Sequence, residues 1–351
     1  MAAARGRARA LTSVTIIGGG IFGLACAWEM TRRGAPVRLF EARRIGAGSS
    51  GGHVGALAPH APENWNPKKA FQLDSLLMAP AFWAGVEAAS GLPTGYARTG
   101  RLQPVADAAA AERLQDRIAA AADRWPGDCA MRLTGAPAGG LVPDSRSGLW
   151  VFDGLTARLN PRAAGAALAT ATRSRGGEII EGQQPATPTG PILWATGTAG
   201  LADLSRDLGR PIGKGVKGQS ALLRHAAPDA PQVFADGLHI VPHADGTVAI
   251  GSTSENDYDH LDTDDQIDAL IARARSICPQ LRDAPVIDRW AGERPRARTR
   301  APILGRWPGR PGHYVANGGF KIGFGMAPGI AQVIADLILD GQDAIPDGFR
   351  L

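Results

Sequence analysis

The stretch from Val14 to Glu41, VTIIGGGIFGLACAWEMTRRGAPVRLFE, constrains this chain more than any other. Val14 to Ile17 is a short β-branched run, and Gly18, Gly20 and Gly23 stand in G-x-G-x-x-G spacing. An amphipathic helical stretch follows to about Arg33, and a second apolar run, Val37 to Phe40, ends on Glu41. Strand, glycine loop, helix and acid-terminated strand together form a βαβ dinucleotide-binding unit. Gly18 permits the tight turn, Gly20 lets backbone approach a pyrophosphate, and Gly23 lets helix and strand pack closely. The helix N-terminus, entered through Ile21 and Phe22, offers free N–H groups and partial positive charge to the diphosphate. Glu41, eighteen residues after Gly23, is placed to accept from both ribose hydroxyls, which disfavours a 2′-phosphorylated nucleotide.

The segment after Glu41 favours FAD over NAD. Ala42 and Arg43 lead into RRIGAGSS, where the backbone of Gly48 and the hydroxyls of Ser49 and Ser50 can wrap along the pyrophosphate. The run ILWATG, Ile192 to Gly197, reads as a buried strand that closes a flavin-binding sheet, with Ala195 and Gly197 against the dinucleotide. Late in the chain, VANGGFKIGFG carries Gly319, Phe320, Lys321, Ile322 and Gly323 into a helix predicted from about Met326 to Leu339, with Pro328 in its first turn and Gly341 past its end. A glycine-rich loop feeding a second helix N-terminus suits an anionic reduced flavin ring.

At 351 residues, with 44% apolar, the chain is long enough for two domains at roughly 150 residues each. Its net charge of +5 comes mostly from scattered arginines, with only five lysines among 38 cations, and no basic run interleaves with aromatics, which argues against a nucleic-acid partner. Cys26, Cys129 and Cys278 are odd in number and far apart, arguing against disulfides or zinc and fitting a reducing, cytoplasmic compartment. The arginines of MAAARGRARA before the uncharged run Leu11 to Trp28 imitate a leader or anchor. Four glycines in that run fit the nucleotide loop better, and no other segment is expected to be long and apolar enough to span a bilayer.

Four blocks together resemble the FAD-dependent D-amino-acid oxidase superfamily, its glycine oxidase and D-amino-acid dehydrogenase branch above all. They are the N-terminal fingerprint with GAGSS, LHIVPHADGTVAIGSTSEN from Leu238, WAGERPRARTRAPILGR from Trp290, and ANGGFKIGFGMAPG from Ala316. The resemblance implies an α/β protein with an α+β substrate part: a Rossmann-like FAD-binding domain from residues 11–60, 151–215 and 288–351, and an inserted antiparallel-sheet substrate domain from 61–150 and 216–287. It implies oxidation of the C–N bond of a small amino or imino acid by hydride transfer to the flavin, with oxygen or a quinone as acceptor left open. An amine on a larger partner, such as a modified tRNA nucleoside, and a flavoprotein without catalysis are the alternatives.

By the same resemblance Arg294 binds the substrate carboxylate, a task its planar guanidinium suits, and Lys321 supplies a second cation. His239 stands where relatives carry a site tyrosine, Gly319 where they usually have histidine, and Thr299 where an acid is common. His53, Gly55, Ala56 and Leu57 belong to the segment that passes the flavin ring in relatives, with backbone contacts favoured over catalysis. The interval Gly177 to Gly190 is short for the family, so the adenine side is expected to be pared down, with Ile179 and Ile180 supplying one strand.

Other elements are read from pattern. Leu238 to Pro242 and Thr247 to Gly251 form a hairpin about Asp245-Gly246. Helices are predicted over Thr263 to Ile277, entered through Asp262 or Thr263, over Ala108 to Trp125 and over Asn160 to Arg175, and Asn64-Trp65-Asn66 reads as a helix entry. Gly48-Ser49-Ser50-Gly51-Gly52 satisfies G-x-S-x-G but lacks the strand before it that a hydrolase needs. His239 and His243 complete no metal set, and the aspartates from Asp257 to Asp265 lack the EF-hand pattern.

Overall fold

The computed structural model describes residues 12–135, 137 and 139–351. The start of the leader-like stretch, residues 1–11, lies outside the described residues.

A six-stranded sheet is ordered Ile303–Arg306, His313–Asn317, Ile192–Trp194, Val14–Ile17, Val37–Glu41, Glu178–Glu181. Its strands run parallel except for the first pair. Such a sheet is covered on both faces, and Val14, Ile16 and Leu39 are accordingly sealed from solvent. Helix α1 (Ile21–Arg32) is buried along nearly its whole length and packs against α4 (Pro161–Ser174) and α7 (Gly323–Ala335). The Ile179-Ile180 strand pairs parallel with Val37–Glu41 at the sheet edge, and the chain runs from it to Ile192–Trp194 with no further strand.

An eight-stranded sheet is ordered Val286–Ala297, Gly213–Arg224, Thr247–Gly251, Leu238–Pro242, Gln232–Ala235, Arg101–Pro104, Trp150–Asp153, Met131–Thr134. It is antiparallel except where Gln232–Ala235 meets Arg101–Pro104. Helix α6 (Gln266–Ile277) buries Ile267, Leu270, Ile271 and Ala274 against this sheet around Ala221, Leu223 and Ile250. The predicted hairpin forms, with Gly246 at φ +80° in its turn.

Helix starts follow side-chain chemistry. Asn160 accepts from the N–H groups of Arg162 and Ala163 and Pro161 opens α4; Asn66 accepts from Lys69 N–H and Pro67 opens α2 (Pro67–Ser90); Asp107 accepts from Ala110 N–H and opens α3 (Ala108–Ala122).

Several expectations are corrected. The strand at ILWATG ends at Trp194, and Gly197 instead opens an unforeseen helix, α5 (Gly197–Asp207). Helix α6 starts at Gln266 with Asp265 as its cap residue, not Asp262 or Thr263. The neighbouring Asp264 carboxylate bonds Lys217 Nζ and Gln219 Nε2 as well as Gln266 N–H. Helix α7 begins at Gly323, inside the glycine-rich loop, so Pro328 lies in its interior rather than its first turn, and a π turn Asp336–Asp340 carries it to Gly341 at φ +73°. The α7 segment Gly323–Asp340 is also long and apolar enough by composition to cross a membrane, contrary to expectation; 56% of it is buried inside the protein, where it packs on α1 and α2. The boundaries at 150/151, 215/216 and 287/288 each fall within a strand of the eight-stranded sheet, because Trp150–Asp153, Gly213–Arg224 and Val286–Ala297 continue unbroken across them.

Candidate functional site

A cavity of about 820 Å³ is lined by residues of both sheets. Every residue singled out for cofactor or substrate lies on its wall except Gly23. Gly23 acts one layer below: a Cβ there would stand 1.9 Å from the carbonyl oxygen of Gly18, so its missing side chain lets α1 cross the first strand. Gly18 takes φ +111°, and a Cβ on it would meet Ala195 O at 2.4 Å.

At one end the Glu41 carboxylate is fixed by the N–H groups of Gly19 (2.8 Å) and Arg43 (2.9 Å), keeping lone pairs available to ribose hydroxyls. The serine loop folds back on α1, where Ser50 Oγ accepts from Ile21 N–H at 3.0 Å. Its hydroxyl proton remains to donate to an anion at the helix start. Three helices begin on this wall, at Ile21, Gly197 and Gly323. Their free N–H groups favour negative charge, as a diphosphate and a reduced flavin require. Asn317 Nδ2 donates to Gly197 O at 2.8 Å while its Oδ1 accepts from Gly318 N–H at 2.7 Å, fastening α5 to the last glycine loop.

His53 and Gly55 line the cavity, and the His53 side chain is itself engaged. Its ring bonds Ser220 Oγ and Asp288 Oδ2, each at 3.1 Å, and Arg162 donates to the same Asp288 oxygen at 2.8 Å. Burial, ahead of every other influence, pushes His53 below the ordinary histidine range.

The far end is cationic. Arg294, on the long strand Val286–Ala297, is 7% exposed; Nη2 donates to Thr253 O at 2.9 Å and Nη1 is buried without a partner. Behind it a buried ionic cluster holds the backbone in place: Lys217 Nζ lies 2.7 Å from Asp264 and 3.3 Å from Glu255, whose charge also acts on Arg294. Burial still lowers Arg294 to about 10. Lys321 is reached by solvent through the cavity it lines, yet dehydration by the surrounding protein, with the Arg294 charge second, lowers it to about 8. Phe320 between them adopts φ +42°, a conformation non-glycine residues seldom take, with its N–H donating to Pro295 O at 3.1 Å.

His239 lines the same end with Nδ1 unpartnered. Burial first, then the charges of Arg101 and Lys321, push it down to about 3, so it is a neutral imidazole near pH 7. Gly319 has a physical reason to lack a side chain: a Cβ there would stand 2.7 Å from the Phe22 ring. Thr299 is off the wall and closes a turn with Ala301.

Sequence reasoning missed Arg101, Phe234, Gln72 and Trp290, all on the wall. Trp290 opens the WAGERPRARTRAPILGR block, but the other three belong to no spaced motif. The Trp290 ring leaves no room for a Cβ on Gly292 (2.3 Å) and little for one on Gly52 (3.1 Å).

The glycine cradle, the terminal acid and the three helix starts fit FAD. A family model described as "FAD dependent oxidoreductase" (DAO) matches residues 13–337. The bifunctional protein ThiO/ThiG of Trichormus variabilis is 30% identical, over 93% of this chain and 52% of its own length, so the chain spans about half of that relative. A glycine oxidase of Geobacillus kaustophilus is 26% identical over 93% of this chain and 92% of its own. The crystal structure of glycine oxidase from Geobacillus kaustophilus superposes with a TM-score of 0.83 at 22% identity, covering 97% of this chain and 98% of that one, a likeness of fold. With its fingerprint and nearly its whole length matched, this chain belongs to the DAO family of FAD-dependent oxidoreductases, among relatives of the glycine oxidase kind.

Proposed function

We propose that the protein oxidises the C–N bond of a small amino or imino acid. The observation that carries this reading is the buried Arg294 guanidinium, with Nη1 unpartnered, beside Lys321 on the wall of the FAD cavity. A carboxylate there accepts from Arg294 and Lys321 and offsets the cost of burying the guanidinium. Held by its carboxylate, the substrate has its α-carbon restricted to a small volume of the cavity, which reduces the entropic part of the barrier. Bound FAD supplies the two-electron hydride acceptor. The carbon–hydrogen pair leaves as hydride, the nitrogen lone pair completes a C=N bond, and water hydrolyses the imine to a carbonyl compound and the released amine or ammonia. His239 offers the substrate a neutral ring nitrogen rather than a third positive charge. In the same reading the six-stranded sheet with α1, α4, α5 and α7 holds FAD, and the eight-stranded sheet supplies most of the substrate wall.

The test is the visible spectrum of the purified full chain, followed by anaerobic bleaching with glycine, sarcosine, proline and both enantiomers of common amino acids. The expected result is a yellow protein bleached by at least one of them, with bleaching lost in Arg294→Ala while FAD stays bound. A protein that takes up no FAD, or an Arg294→Ala variant bleached as fast as the parent, overturns the reading.

A further inference from the structure

The cationic end of the cavity is built as two stations, each gathered on one aromatic ring. At the first, Arg294 Cζ, Arg296 Cζ and Lys321 Nζ lie 6.0, 5.7 and 5.8 Å from the centroid of the Phe320 ring; of these, Arg294 and Lys321 line the cavity, while Arg296 donates to Asn256 Oδ1. At the second, Arg101 Cζ lies 5.7 Å from the centroid of Phe234, and the His239 ring packs on the same phenyl at 4.6 Å. Phe234, His239 and Arg101 come from three neighbouring strands of the eight-stranded sheet, so the second station is rigid by construction.

Arg101 is aimed, not merely present. Its Nε donates to Asp153 Oδ2 at 2.8 Å, and that carboxylate is fully buried, with its other oxygen accepting from Thr156 N–H. One edge of the guanidinium is thereby anchored, leaving the terminal nitrogens, which make no hydrogen bond among the described residues, on a side chain that lines the cavity. The fixed fork presents donors suited to a carboxylate, and the orienting acid reduces the rotamer entropy lost on binding. Arg101 and Lys321 are the two charges that, after burial, hold His239 down. The acidic residues on the cavity wall, Glu41 and Asp203, belong instead to the six-stranded sheet and α5.

We infer that the substrate is an amine carrying two anionic groups, one carboxylate taken by Arg294 and Lys321 and the second by Arg101 beside His239. This rests on the reading of the site as an amine-oxidising one, and it narrows the substrate class to amino or imino dicarboxylates, since a simple α-amino acid leaves the Arg101 donors without a partner.

Two comparisons on the FAD-loaded full chain test it. In the first, flavin absorbance reports binding of succinate against butyrate, which differ by one carboxylate at equal chain length. Succinate is expected to bind at least about tenfold tighter, the effect of one charge-assisted contact of roughly 1.4 kcal/mol or more. The double variant Arg101→Gln/Asp153→Asn, which leaves no buried unpaired charge, is expected to bring the two affinities within about threefold. Equal binding in the parent, or a preference that survives in the double variant, overturns the inference. Arg101→Lys, which keeps the charge but not the fork, is expected to retain part of the preference, and full loss there alone would locate the effect in the fork geometry.

In the second, iminodiacetate is compared with N-ethylglycine in anaerobic bleaching. A kcat/KM for iminodiacetate at least about tenfold higher supports the inference, and equal values reject it while leaving amine oxidation intact. If neither compound nor any amino acid bleaches the flavin, the functional reading fails, and the succinate and butyrate affinities still decide whether the second station exists.

Discussion

The guanidinium of Arg294 lies across the α-carbon of Gly218: a Cβ placed on that glycine would fall 1.3 Å from Nη2. The two sit on adjacent antiparallel strands, Gly218 two residues from Val216, the register partner of Arg294, so they are diagonal neighbours on one sheet face. The placement of Arg294, the proposed carboxylate ligand, therefore depends on an absent methyl in the neighbouring strand.

Gly218→Ala is accordingly expected to displace Arg294 while leaving the glycine cradle and Glu41 at the other end of the cavity in place, since Gly218 is not part of the cavity wall. The KM for an amino acid substrate should rise about 10- to 100-fold, the value of one charged hydrogen bond, while the flavin spectrum stays that of the parent. Steady-state kinetics alongside the absorbance ratio of bound flavin check both halves.

Gly23→Ala places a methyl 1.9 Å from Gly18 O, in a layer where neither helix nor strand can yield. A loss of about 1–3 kcal/mol in unfolding free energy and reduced FAD occupancy are expected. Gly85→Ala is the control, because its Cβ finds only Trp28 at 3.9 Å and α2 gains helix propensity. Urea titration and flavin content measure the two variants.

Burial lowers Lys321 to about 8 and Arg294 to about 10, and in the proposed site both hold a carboxylate only when protonated. Acetate, which does not titrate above pH 6, should bind with constant affinity below pH 8 and progressively more weakly above it, by up to tenfold per pH unit. Lys321→Arg is expected to move that limb upward by more than one pH unit. Absorbance titrations with acetate from pH 6.5 to 9.5 follow it free of the substrate amine's own ionisation.

His239 is held neutral in the folded chain to about 3 against an ordinary value of 6.5. Between those values the unfolded chain binds more protons than the folded one, so stability rises with pH and falls as pH drops from 6.5 toward 3. The slope from this one group is at most about 1.4 kcal/mol per pH unit. In His239→Gln the melting temperature should depend less steeply on pH over 4 to 6.5, a comparison that calorimetry makes directly.

The cofactor half of this site was legible because its residues act through spacing along the chain. Gly18, Gly20, Gly23 and Glu41 occupy the places that one strand, one turn and one helix dictate. On the proposed substrate side Arg294, Lys321 and His239 were legible through their motifs. Arg101 reaches Phe234 and His239 from a strand more than a hundred residues away, with Gln232 beside Arg101 in a parallel register that no local pattern announces. Helix α7 started early for a related reason. Its first residues are glycines of low helix propensity, and the close packing at Gly323 and Gly325 against Ile21 and Leu76 outweighs that preference. The start of α6 was misplaced at Asp262 or Thr263; the helix opens after Asp265, and Asp264 accepts from Lys217 and Gln219.

Of the four side chains at the cationic end, Lys321 alone rides on the glycine loop of the six-stranded sheet, while Arg101, His239 and Arg294 stand on strands of the other. In the proposed reading, electron transfer and most of the substrate choice thus fall to separate pieces of scaffold. Exchanges on one strand can retune which acid enters and how long it is, while the nucleotide cradle keeps its shape. A laboratory search for new substrates would do best to vary the strand positions first and leave the glycine loop untouched.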